Sequence, residues 1–259
     1  MTATVYDIPA CVSYVLLETQ MKALHYIGHS QGTLILFMKL AMDPGFGTGI
    51  TTFHALAPIC FLSNMKSPLK KVSLMNIASG IIHRDWHAEL LPKSRAGIWI
   101  SEQIAKIAWC GNQDSYRVSA SNFFISLFGF KPKRYYMNNM STYLSHFCSG
   151  TSMKDILHFG QLIRSGKVHN FCAKDQEPNL LKVEDIERMK IFLYAGDDDD
   201  LSSVIDVEIL EKTLTFLKPE NRNKVEKVVL NDFDHMCFLW GRESVKLYHE
   251  IFMNISLDT

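Results

Sequence analysis

The sequence predicts an α/β protein, a mostly parallel sheet flanked by helices and split by a long helical insertion. Three observations carry that reading. Residues 23–57 run apolar strand, turn, apolar helix, turn, apolar strand, the spacing of a parallel crossover unit. Residues 190–230 repeat the alternation. Between them lie helical patches rich in Met, Phe, Tyr and Trp with no convincing strand, a stretch of about 120 residues that is too long for a loop. The expected division is 1–63 for the first half of the core, 64–188 for the insertion and 189–259 for the second half of the core.

Each element has its own signal. Residues 5–20 predict an amphipathic helix, with Pro9 tolerable near its first turn and Val12, Val15 and Leu16 on one face. Residues 23–27 form a short apolar run with β-branched and aromatic members, read as a buried strand. Residues 34–42 are apolar and mostly unbranched, with no breaker until Pro44, and predict a buried helix. A glycine-rich turn through Gly49 leads to a strand at 51–57 that ends at Pro58. In the insertion, 72–82, 96–109, 119–127 and 153–165 predict helices. The sheet resumes at 190–194, closing on Ala195-Gly196 and a run of four aspartates. A helix at 206–217, a strand at 224–230, a loop at 231–235 and a helix from about 242 to 253 complete the chain.

Composition excludes several classes. Hydrophobic content of 47% and charged content of 21% describe a globular protein of ordinary core size. Lys+Arg and Asp+Glu are both 27, and no basic stripe interleaved with aromatics is present, so no nucleic-acid partner is expected. The one short basic run, Lys131-Pro132-Lys133-Arg134, reads as a solvated loop. No apolar run is long enough to span a membrane, and residues 1–20 lack the pattern of a signal peptide. The six cysteines are far apart with no Cys-x-x-Cys pair, so neither a metal nor a redox cofactor is expected. Two Asn-x-Ser triplets, at Asn139 and Asn254, leave a secretory route open.

The chemistry centres on Gly28-His29-Ser30-Gln31-Gly32. A Gly-x-Ser-x-Gly sequence between a strand and a helix is the context of a nucleophile elbow. The serine there sits in a strained backbone, and a side chain at Gly28 or Gly32 is expected to collide with the neighbouring strand or helix. The helix N-terminus aims peptide N–H groups at a developing oxyanion, and that of Gln31 is the nearest. Such a serine needs a base and an orienting carboxylate, which follow it in the order Ser, acid, His on loops after later strands. His235 is the one histidine just past a late strand. For the acid, spacing leaves Asp198, Asp199, Asp200 and Asp206 all open. The aspartate run lacks the Gly and Glu positions of an EF-hand loop.

Several longer motifs together resemble the acid lipase family, the gastric and lysosomal acid lipases and their relatives, over nearly the whole chain. They are Tyr6-Asp7-Ile8-Pro9-Ala10, Leu24 through Thr33, Leu56-Ala57-Pro58, Tyr143-Leu144-Ser145-His146 with Gly150-Thr151-Ser152, Gly196 through Val207, and Phe233-Asp234-His235 through Trp240-Gly241. The resemblance implies an α/β-hydrolase core, Ser30 as nucleophile, His235 as base and Asp199 as acid. It also implies that the insertion is a lid over an apolar acyl cleft. The expected activity is hydrolysis of neutral lipid esters, triacylglycerol or sterol esters, at a lipid–water interface, by a secreted or lysosomal protein with no cofactor. The sequence differs from the family pattern at Asp200, usually apolar, and at Phe147-Cys148, usually a proline-containing link. Only 29 residues precede Ser30. The early strands, the loop that donates a second oxyanion N–H and any signal peptide are therefore expected to be missing, leaving the elbow strand without a partner on one side. The rival reading is a catalytically silent fragment or binding module of the same fold.

Overall fold

A computed structural model describes residues 3–68, 70–71, 89–90, 129–139, 142–143, 150–166, 168, 189–216 and 224–257. Four strands, β1 (Leu24–His29), β2 (Ile50–Leu56), β5 (Lys190–Gly196) and β6 (Val225–Leu230), form one sheet in the order β1-β2-β5-β6, with every neighbour parallel. The registers pair His29 with Leu56, Leu56 with Tyr194, and Gly196 with Leu230. Strand ends therefore line up, and the loops that follow β1, β2, β5 and β6 emerge along one edge of the sheet. In a parallel sheet that carboxyl edge is where sites form.

The central strands β2 and β5 are buried on both faces, which is why they read as continuous apolar runs. Their side chains alternate between two cores. Phe53, Ala55, Ile191 and Leu193 pack with Leu36, Phe37 and Leu40 of helix α2 (Gln31–Met42). Leu56, Phe192 and Tyr194 pack with Phe238, Leu247 and Ile251 from helices α5 (Cys237–Trp240) and α6 (Ser244–Leu257). Helix α4 (Val204–Phe216) adds Val207, Leu210 and Leu214 to the first core. Full burial of one such aliphatic or aromatic side chain stabilises the fold by about 1.5–3 kcal/mol.

Several elements differ from the sequence expectation. A π-helical turn (Ala3–Asp7) precedes α1 (Ile8–Thr19), so the α-helix starts at Ile8 rather than near residue 5, with Pro9 in its first turn. Only Val12 of α1 is buried, and Tyr14, Leu17 and Met21 are exposed. Among the described residues β1 pairs with β2 alone. Within the region read as purely helical, β3 (Glu89–Leu90) and β4 (Thr151–Ser152) form a two-residue antiparallel pair. Two residues a strand are too few to leave a periodicity in the sequence. Of the four helices expected in the insertion, α3 (Met153–Ser165) is present. The other three, at 72–82, 96–109 and 119–127, lie outside the described residues, as does most of the expected lid.

The glycines around the serine turn and the acid loop differ in whether they need to be glycine. A Cβ on Gly28 would stand 3.0 Å from the Gly32 carbonyl carbon, and one on Gly196 would fall on the Phe233 carbonyl. At Gly32 the nearest atom would be the Tyr26 hydroxyl, 3.9 Å away, an ordinary contact. The expected collision at Gly32 is therefore wrong, because no neighbouring strand or helix atom stands closer to that Cβ than ordinary contact. Gly196→Ala and Gly28→Ala should each destabilise the fold by about 1–3 kcal/mol through forced backbone shifts. Gly32→Ala should be neutral, or stabilising by up to about 1 kcal/mol, because alanine suits a helix better. Urea midpoints of the three variants check the ranking, and a Gly32→Ala loss equal to the others contradicts it.

Candidate active site

Ser30 occupies the turn between β1 and α2 with φ 52° and ψ −114°, a backbone region that ordinary side chains rarely adopt. Hydrogen bonds at both its N–H and its carbonyl hold it there. Its N–H donates to the Leu56 carbonyl at the end of β2 (3.0 Å), and its carbonyl accepts from the Thr33 N–H (3.0 Å) and hydroxyl (2.6 Å). The Tyr26 hydroxyl donates to the Gly32 carbonyl at 2.9 Å and braces the same turn. The Ser30 hydroxyl then lies 2.8 Å from Nε2 of His235.

His235 arrives on the loop after β6 and is 3% exposed. Its Nδ1 lies 2.9 Å from Oδ2 of Asp199. A carboxylate accepts only, so Nδ1 carries the proton and Nε2 is left as the acceptor for the Ser30 hydroxyl. The other oxygen of Asp199 accepts the N–H groups of Leu201 and Ser202, both at 2.8 Å. Ser202 in turn donates to the Pro58 carbonyl (2.7 Å), tying the acid loop to the end of β2. The loops after β1, β5 and β6 thus converge on one hydrogen-bonded line of three side chains.

The remaining aspartates have other partners. The Asp206 carboxylate accepts the N–H and the side-chain amide of Asn64 (2.9 and 2.8 Å). The Asp198 carboxylate accepts from Lys131 and, at 2.7 Å, from Arg134. The Asp200 carbonyl accepts from the N–H groups of Lys66 and Ser67. Of the four acids left open by spacing, Asp199 alone contacts His235 among the described residues.

A second carboxylate beside His235 was not anticipated. Asp234 is fully buried, and its Oδ1 accepts the Met236 and Cys237 N–H groups (both 3.1 Å) and the Tyr135 hydroxyl. Its Oδ2 accepts the Lys131 N–H (3.2 Å) and lies 3.5 Å from the Arg134 guanidinium. Arg134 also reaches Asp198 on the acid loop, so one short segment joins the loops bearing Asp199 and His235. The basic run read as a solvated loop is instead this seam. Burial, reinforced by Asp234, pushes the Tyr135 hydroxyl far above its usual pKa, so it stays a proton donor.

His29 packs against His235 with ring centroids 4.8 Å apart, and its Nε2 lies 2.9 Å from the His235 carbonyl. Burial first, and the neighbouring His235 second, push its pKa down to about 3. It therefore stays neutral and donates Nε2–H to that carbonyl.

A cavity of about 270 Å³ opens at Ser30 and Gln31, walled by Ile59, Leu62, Met65, Leu201 and, from α3, Ile156, Phe159 and Ile163. Every wall residue except Ser30 and Gln31 is apolar. A larger space of about 690 Å³ lies among Lys131, Lys133, Arg134 and Arg242, but neither Ser30 nor Gln31 borders it. Gln31, first residue of α2, has a peptide N–H with no acceptor within its own helix.

Comparison with known proteins bears on the fold and on sequence likeness. No protein-family model matches the chain. Gastric triacylglycerol lipase of Rattus norvegicus is 27% identical over 98% of this chain and 63% of its own length. Lysosomal acid lipase/cholesteryl ester hydrolase of the same species is 26% identical over 95% of this chain and 61% of its own length. The chain thus spans about six-tenths of the length of the curated relatives it matches. Among solved structures, the monoacylglycerol lipase of Paleococcus ferrophilus superposes with a TM-score of 0.54 at 12% identity, covering 96% of this chain and 74% of that one. At that identity the likeness concerns the fold. The chain is thus a sequence relative of the gastric and lysosomal acid lipases, built on the α/β-hydrolase fold.

Proposed function

We propose that this chain is the part of a serine ester hydrolase that carries its nucleophile, acid and base, and that its substrates are neutral lipid esters such as triacylglycerol or sterol esters. The observation that carries the reading is the Ser30–His235–Asp199 line, set on a strained turn at the mouth of an apolar cavity. The Ser30 oxygen attacks the ester carbonyl carbon while His235 Nε2 takes its proton. Asp199 keeps the imidazole in the productive tautomer and stabilises the imidazolium. The oxygen of the tetrahedral intermediate is received by the Gln31 N–H, which acts as one donor of an oxyanion hole. His235 then protonates the departing alcohol. Water, activated by the same imidazole, releases the acid and restores the serine. The apolar wall receives the acyl chain, and residues 64–188 form the lid, to which α3 belongs.

Acid working conditions fit one feature of the site. A histidine of ordinary pKa would be largely charged near pH 5, and a cation at His29 would oppose the imidazolium that His235 becomes. Burial of His29 prevents that. For a secreted or lysosomal protein, Asn139 is the sequon open to a glycan, because it is exposed. Asn254 is half-buried and bonded to the Tyr194 hydroxyl.

Three measurements test this reading. Ser30→Ala should lower ester turnover by about 10³-fold or more with the urea midpoint unchanged, and labelling by a serine-directed phosphonate should vanish. A wild-type chain inert to both assays points to the silent-module reading.

Asp199→Asn should cost far more turnover than the same change at Asp197, Asp198, Asp200 or Asp206, because only the carboxylate at position 199 meets the imidazole N–H. Equal losses across the set contradict the assignment.

The third measurement concerns pH. The unfolded chain protonates His29 at the ordinary value near 6.5, and the folded chain only near 3. Between those values the unfolded state binds the extra proton, so this residue withdraws stability as pH falls through that window. The His29 ring signals in NMR should stay flat from pH 7 to 4, and a midpoint near 6.5 overturns the assignment.

A further inference from the structure

The motif Gly150-Thr151-Ser152 has no part in the chemistry above, yet its atoms converge on one side chain. Gly150 turns the chain with φ 78°. Ser152 caps α3, its hydroxyl accepting the Asp155 N–H at 3.1 Å. The Thr151 hydroxyl lies 3.3 Å from Oδ2 of Asp155. The same oxygen accepts the side-chain amide of Gln31 at 2.8 Å, a contact across 124 residues of sequence. The motif fixes a carboxylate in the first turn of α3, where the helix dipole favours it, and aims it at the residue after the nucleophile.

Resting on the ester-hydrolase reading, we infer that Asp155 is a positioning residue for that reaction. Through the Gln31 side chain it holds the Gln31 peptide N–H on the oxyanion and sets α3 as the wall of the acyl cavity. Gln31 is the first residue of its helix, where the peptide plane is held on one side only. A charge-assisted bond on its side chain limits its rotation about the Cα. The residue after Asp155 is Ile156, and Ile156, Phe159 and Ile163 recur at spacings of three and four along α3, the face that borders the cavity. Tether and wall are one helix. Loss of the tether therefore acts on two quantities, stabilisation of the intermediate and fit of a long acyl chain.

The experiment uses the 259-residue chain and compares wild type, Asp155→Ala, Asp155→Asn, Gln31→Ala and the Gln31→Ala/Asp155→Ala double variant. The probes are p-nitrophenyl acetate, p-nitrophenyl octanoate and the rate of Ser30 phosphonylation. Asp155→Ala should lower kcat by about 10- to 100-fold on both esters, as for a displaced reacting group. Its KM should rise for octanoate and stay level for acetate. Asp155→Asn keeps an oxygen acceptor and should recover most of the loss. Gln31→Ala should match Asp155→Ala, and the double variant should lose no more than either single one. Losses that multiply in the double variant, or an Asp155→Ala chain phosphonylated at the wild-type rate, overturn the inference while leaving Ser30 as nucleophile. A kcat loss with unfolding in Asp155→Ala that Asp155→Asn fails to recover also overturns it, in favour of a purely structural cap. A wild-type chain that the phosphonate does not label overturns the ester-hydrolase reading and the inference with it.

Discussion

The structure depends first on the backbone at Ser30. Its dihedral angles cost on the order of 1–3 kcal/mol in an unconstrained chain. They persist because the turn is tied on both sides: to the end of β2 through the Ser30 N–H, and to the first turn of α2 through Thr33. Gly28 lets β1 and α2 approach closely enough for this. The buried packing of α2 against β2 supplies the stability that offsets the strain. The outcome is a hydroxyl presented beyond the sheet edge instead of folded back onto its own strand. In the proposed reaction, that placement gives the imidazole access to the hydroxyl proton.

The second requirement is that two further loops arrive at the same point. Parallel register places the ends of β5 and β6 side by side, and Gly196 lets the acid loop pass directly beneath the Phe233 carbonyl. Asp199 then spends one oxygen on the peptide groups of its own loop and the other on His235. Asp234 has a different task. Its charge is buried beside His235 but is taken up by four short contacts and the Arg134 guanidinium. A buried carboxylate left unpaired here would be strongly destabilising. The bond from Arg134 to the exposed Asp232 adds little by comparison.

Much of this was legible in the sequence, for physical reasons. β2 and β5 are covered on both faces, so their composition is apolar throughout, and the glycine-flanked serine sits between two such signals. The order of chemistry-bearing loops follows from the parallel topology, which made His235 visible. The choice among the aspartates was not visible in spacing, because one residue along a loop rotates a carboxylate to another partner, as Asp198 and Asp199 do. The family motif supplied that choice. Arg134 and Tyr135 could not be read at all. A short basic run looks the same whether it is solvated or clamps two distant carboxylates, and only the fold brings those carboxylates near. Gly32 misled for a related reason, since the pattern records a glycine without recording where its missing Cβ would point.

The seam at Lys131 to Tyr135 also bears on the order in which the molecule is completed. Arg134 meets Asp198 across 64 residues of chain, and Tyr135 meets Asp234 across 99. Closing loops of that length carries an entropic cost that neighbouring elements of a crossover unit largely escape. Each crossover unit, β1-α2-β2 and β5-α4-β6, can therefore form before the acid and base loops are locked, and the seam can part while both units stay paired. Sub-global opening of that kind makes competence for chemistry a population within the native ensemble. A few contacts to two buried or half-buried carboxylates set the size of that population, independently of how firmly the four strands hold together.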